Sequence, residues 1–145
     1  MSAWLDKAKM TLYDLTVQQN AVANLPDMIK TLQNEAYGIK AAQTDKVVVS
    51  GGGNTNADDK LIAEIVKLDE LKLGYKLALM EATATTNALN VLTEEERIIL
   101  DAKYVHQLQT WEEYLMDVLH IERATVYRKL KRSLRRYCIA RFGTY

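Results

Sequence analysis

A single proline, Pro26, and only six glycines leave long stretches of this 145-residue chain without a helix breaker. Sheet proteins need those residues at short intervals for their turns, so the scarcity points to long helices. Within the stretches, apolar residues recur four and then three apart. The first series runs Trp4, Ala8, Thr11, Leu15, Gln18, Val22, Leu25, Ile29, Leu32, Ala36 and Ile39, which places them on one helical stripe. Proline suits a first helical turn better than an interior. Pro26 therefore predicts either two helices meeting near Asn24 or one kinked helix, together occupying residues 1–45.

Residues 46–57 include KVVVSGGGNTN and read as a flexible or extended connector. The glycine run lacks the Lys-Ser/Thr that follows it in a nucleotide-binding loop. A long helix is expected over 58–90, opened by Asp58 and Asp59, whose carboxylates suit a helix N-terminus. Its stripe is Leu61, Ile65, Leu68, Lys72, Tyr75, Leu79, Ala82, Thr86 and Leu89, and the neighbouring stripe, Ile62, Val66, Leu73, Leu77 and Met80, is apolar as well. A face so wide needs more than one neighbour. The N-terminal helices supply one, and a second copy in a homodimer is expected to supply the other.

Formal net charge is zero, yet the charge is segregated: residues 91–122 carry two Lys/Arg against eight Asp/Glu, and residues 123–145 carry eight against none. A terminal segment so basic suits a polyanion, or else balances the acidic segment before it. Thr93 and Glu96 have the spacing of a capping box, with Ile98, Ile99, Ala102 and Tyr104 or Val105 behind them as an apolar face. Thr110 and Glu113 repeat the device ahead of a short helix over 111–118. Leu119-His120-Ile121-Glu122 has the length of a turn, and Arg123 opens a basic helix, so residues 91–145 have the pattern of a helix-turn-helix. On a wheel of about 100° per residue, Leu130, Ser133, Leu134 and Tyr137 lie with Val126, while Ala124, Arg128, Lys131, Arg132 and Arg135 lie opposite. An apolar stripe backed by a basic face is what a helix needs to enter a major groove with its donors outward.

The segment LTEEERIILDAKYVHQLQTWEEYLMDVLHIERATVYRKLKRSLRRY resembles the region-4 helix-turn-helix of bacterial sigma factors, and its small relatives among phage and prophage late-gene regulators of the ArpU and RinA type. VVVSGGGNTNADDKLIAEIV is similar to the connector of those regulators, extending the resemblance over about 46–142. It implies that Trp111 and Tyr114 are core residues and that Leu119, Ile121, Val126 and Leu134 hold the two helices together. It also implies that Arg123, Ala124, Tyr127 and Arg128 face DNA. Three departures stand out: one additional residue between Tyr114 and Leu119, bulky Leu115 or Met116 in place of a small residue, and Glu122 where Ser or Thr usually caps.

His106 and His120 have no ligand partners at metal spacing, Cys138 has no paired base, and Glu94–Glu96 are ordinary first-turn acids, so neither an enzyme nor a cofactor is expected. A lone cysteine, no leader and no apolar run long enough for a bilayer predict a cytoplasmic protein with no membrane partner. The expectation is therefore all-α: long helices in an N-terminal bundle or coiled coil, then a helix-turn-helix module. Its expected function is sequence-specific regulation of phage or prophage transcription on double-stranded DNA, with RNA polymerase as a further partner. The interface is drawn from Arg123, Ala124, Thr125, Tyr127, Arg128, Lys131, Arg132 and Arg135. Two alternatives share the pattern: a phage packaging protein such as a small terminase subunit, and an adaptor that binds RNA polymerase or a host protein.

Overall fold

The computed structural model describes the backbone of residues 2–44 and 55–145, and the side chains of 2–38 and 58–145. It is all-α, with helices α1 (Ala3–Thr44), α2 (Thr55–Val91), α3 (Glu94–Leu100), α4 (Trp111–Leu119) and α5 (Arg123–Phe142), and no strand among the described residues. Helix α1 runs through Pro26 without ending. Helix α2 begins at Thr55, so the expected connector gives up residues 55–57 to helix; what remains of it lies outside the described residues. None of the described helices is long and apolar enough to cross a membrane.

The chain forms two compact units that divide it differently from the sequence reading: residues 1–19 with 79–145, and residues 20–78. In the second unit, Val22, Leu25, Ile29, Leu32 and Ala36 of α1 are half-buried, as are Leu61, Glu64, Leu68, Leu71, Tyr75 and Ala78 of α2. Both sets keep three-four spacing, the pattern of helices packed seam to seam. The α2 seam differs in phase from the expected one, because Ile65, Lys72 and Leu79 are exposed while Glu64, Leu71 and Ala78 turn inward. The expected neighbouring stripe is exposed too: Ile62, Val66, Leu73, Leu77 and Met80 all show large apolar surface.

The first unit holds the main core. Ala8, Leu12 and Leu15 of α1 and Ala82, Ala88 and Leu89 of α2 are buried, along with Ile99 and Leu100 of α3, Leu115 of α4, and Val126, Leu130, Leu134, Tyr137 and Cys138 of α5. Leu12 is fully buried although the expected stripe passes through Thr11, and Trp4, placed in that stripe, is exposed. The Trp4 indole nevertheless lies 5.5 Å from the Phe142 ring, and the Cys138 thiol donates to the Trp4 carbonyl at 3.3 Å. Both ends of the described chain therefore enter one core.

Candidate nucleic-acid interface

Helix α3 starts on the expected capping box. Thr93 Oγ1 accepts from the Glu96 amide at 3.3 Å, and Glu96 Oε1 accepts from the Thr93 amide at 3.2 Å. The helix continues into a π-helical turn at Asp101–Val105, which the sequence pattern did not predict. The second expected box does not form: Thr110 precedes α4 with φ −104 and ψ 38 and makes no side-chain cap bond. That backbone is outside the extended region in which a cap hydroxyl reaches the first-turn amides.

Helix α4 ends at Leu119. His120 takes a left-handed φ of 54 and its amide bonds the Met116 carbonyl, satisfying one orphan carbonyl of the helix end. Two residues later α5 begins, with Glu122 at its N-cap position and no side-chain cap bond. Leu115 is fully buried between these elements, so the bulky residue is accommodated as core. Tyr114, expected in the core, is exposed instead, and Trp111 is half-buried. Leu119 and Ile121 are partly buried against the core cluster that contains Val126 and Leu134.

The eight cations of α5 fall into two sets. Four reach acids on other elements: Arg123 lies 3.0 Å from Glu112, Arg136 3.1 Å from Glu96 and Arg141 2.5 Å from Glu81, and Lys129 pairs with Glu95. The other four, Arg128, Lys131, Arg132 and Arg135, are exposed and make no ion pair among the described residues. Their spacing puts all four on one face of α5, away from Val126 and Tyr137. Segregated charge thus serves two ends, with the acidic elements neutralising the inner and flanking cations and leaving the outer row uncompensated.

Local contacts shape that row. Arg128 donates to Thr125 Oγ1 at 3.1 Å, which holds its guanidinium near the start of α5. Arg135 lies over the Tyr145 ring at 5.5 Å. Arg128, Lys131, Arg132 and Arg135 line one shallow depression with Ile139 and Tyr145, and Thr125, Arg128, Lys129 and Arg132 line another. Tyr145 was absent from the expected interface because it lies beyond the segment that carries the resemblance. Ala124 is exposed beside the row.

Arg123 and Tyr127 were expected to face DNA, and both engage α4. The Tyr127 hydroxyl donates to Glu112, and its ring stands edge-on to Trp111 at 5.6 Å. That hydrogen bond to a carboxylate, with desolvation and the Glu112 charge acting the same way, raises the Tyr127 pKa, while Arg123 opposes the rise. Glu112 therefore joins the first turn of α5 to α4 through two partners. Lys103 lies 4.5 Å from the centre of the Trp111 ring, and burial, followed by the charge of Lys9, lowers its pKa, with Glu112 opposing. Among the described residues no group of His, Cys, Asp and Glu has the arrangement of a metal site.

A family described as Protein of unknown function (DUF1492) matches residues 39–137, more than half of the chain. The chain belongs to the DUF1492 family. The matched DUF1492 segment contains α2, α3, α4 and α5 as far as Tyr137, and so includes all four outward cations and the Glu residues that pair with the others. It leaves out residues 1–38, where Ala8, Leu12 and Leu15 complete the core. No curated protein and no solved structure matches the chain.

Proposed function

We propose that this DUF1492 chain is a sequence-specific double-stranded DNA-binding regulator of transcription, with α4 and α5 acting as a helix-turn-helix and α5 as its reading helix. The observation that carries the reading is the outer row Arg128, Lys131, Arg132 and Arg135, which has no acid partner among the described residues while the remaining α5 cations are paired. A helix whose inner face is packed and whose outer face presents uncompensated donors matches the requirements of groove entry. The resemblance to phage and prophage late-gene regulators supplies the regulatory part of the proposal, and the same reading assigns no catalytic role to any residue.

Roles within the row follow from position. Arg128, nearest the N-terminus of α5, is the base-reading residue, and Lys131, Arg132 and Arg135 meet phosphates. Selection of duplexes from a random pool by full-length protein, followed by fluorescence anisotropy on the enriched site and a scrambled control, tests this. Arg128→Ala is expected to cost about 1–3 kcal/mol on the enriched site and much less on the scrambled one. No enrichment at low salt overturns the reading.

A further inference from the structure

Helix α2 carries a second apolar face that the fold leaves uncovered. Ile62, Val66, Leu73 and Leu77 are 59%, 49%, 58% and 53% exposed. On the helical wheel they fall within about 40° of Leu73, whereas the seam residues Glu64, Leu71 and Ala78 lie at least about 140° away. The face is therefore diametrically opposite the seam. It extends for about 23 Å along the axis, and all of it belongs to the 20–78 unit.

The residues along this face read almost the same in either direction. The helix sequence at its centre is Lys67-Leu68-Asp69-Glu70-Leu71-Lys72, in which the charged residues border this face and the two leucines belong to the seam. The midpoint between Asp69 and Glu70 is also the midpoint between Val66 and Leu73 and between Ile62 and Leu77. We infer that a second copy of this chain docks on this α2 face, the two α2 helices running antiparallel about a two-fold axis between Asp69 and Glu70.

An isologous interface must be complementary to itself under a two-fold rotation, and a reversal-symmetric stripe meets that demand. The rotation sets Ile62 against Leu77 of the second copy and Val66 against Leu73 of the second copy. Charge fits the same arrangement. Asp69 and Lys72 lie on one flank of the stripe, and Glu70 and Lys67 on the other. Antiparallel helices bring like flanks together, so Asp69 stands about 3 Å along the axis from Lys72 of the second copy, and Glu70 the same distance from Lys67. All four are exposed, and Lys67 pairs with Glu64 on its own helix at 3.6 Å. At the two-fold axis Asp69 also meets Asp69 of the second copy, and Glu70 meets Glu70, about 1.5 Å apart along the axis, and the flanking lysines offset that repulsion.

Sedimentation of the full chain is expected to show a dimer, and Leu73→Lys to raise its dissociation constant by about tenfold or more with helicity unchanged, since Leu73 lies off the seam. The all-positive variant Asp69→Lys/Glu70→Lys and the all-negative variant Lys67→Glu/Lys72→Glu should each fail to self-associate, yet form a heterodimer when mixed. For orientation, Val66→Cys mixed with Leu73→Cys should give a 66-to-73 disulfide under mild oxidation. A monomeric wild type, an assembly larger than a dimer, no heterodimer from the mixed charge variants, or a 66-to-66 disulfide overturns the inference.

Discussion

The hydroxyl of Thr11 on α1 and the phenol of Tyr137 on α5 lie 2.7 Å apart across 126 residues of chain. Thr11 already donates to the Ala8 carbonyl at 2.7 Å, so Tyr137 is the donor in the long-range bond. Tyr137→Phe should lower the unfolding free energy by about 0.5–1.5 kcal/mol, because one partly buried hydrogen bond is lost while Thr11 keeps its local one. Deleting residues 2–19 removes Ala8, Leu12 and Leu15 from the core and should abolish cooperative unfolding of the remainder. Urea denaturation followed by circular dichroism measures both.

The outer cations and the paired ones should separate in experiment. With Lys131, Arg132 and Arg135 on phosphates, the logarithm of duplex affinity is expected to fall against log salt with a slope of about −3. Removing Lys131 or Arg132 should flatten that slope by about one while leaving the melting temperature nearly unchanged. Titrations at several salt concentrations read the slope directly.

Arg136 and Val126 should act on stability. Arg136 reaches Glu96, whose carboxylate also receives the Thr93 amide, so Arg136→Ala should destabilise by about 1 kcal/mol, a magnitude restrained by the exposure of the arginine. Val126 is fully buried, and Val126→Asp should unfold the unit by placing a charge in its core. Thermal melts compare the two.

High pH should unmask Tyr104. Burial, with a smaller contribution from Tyr13, pushes its pKa up to about 12, so the folded state holds the proton more tightly than the unfolded chain does. The contribution is fully present below the unfolded tyrosine value of about 10 and is lost as pH rises toward the folded value. Stability should decline across that window, because there Tyr104 ionises in the unfolded chain while it stays protonated in the folded one. Absorbance of tyrosinate during an alkaline titration, compared with Tyr104→Phe, follows it.

Two helix-interior positions offer stabilisation. Gly74 has nothing within 4 Å of where a Cβ would stand, so Gly74→Ala should add about 0.5–1 kcal/mol. Pro26 is exposed inside α1, and Pro26→Ala should restore a backbone bond and gain up to about 3 kcal/mol. Chemical denaturation of each variant provides the comparison.

Periodicity located what one-sided helices reveal. In α5 a single apolar stripe separates Val126, Leu130, Ser133, Leu134 and Tyr137 from the basic row, and the structure buries all five, with Cys138 beside them. In α2 it could not choose, because Ile62 and Val66 on one side are as apolar as Leu68 and Leu71 on the other. Packing partners decide such a case, and they come from α1, far away in sequence. The site divides in the same way. Arg128, Lys131, Arg132 and Arg135 were legible from their wheel positions, but the engagement of Arg123 and Tyr127 by Glu112 was not, since composition records charges without recording which of them meet. Thr110 failed as a cap for a local reason, its backbone angles, which a matching Glu113 does not determine.

The Trp4 contacts with Phe142 and Cys138 impose an order on synthesis. A ribosome adding about 5–20 residues per second delivers Trp4, Leu12 and Leu15 on the order of ten seconds before their α5 partners emerge. Through that interval the leading helix carries an apolar face with its mate still in the exit tunnel or untranslated, a natural substrate for chaperones that bind nascent chains. Once Phe142 is free, closure joins α1 to α5 across most of the described residues at once, so a transcript truncated within α5 yields a product that cannot complete its core.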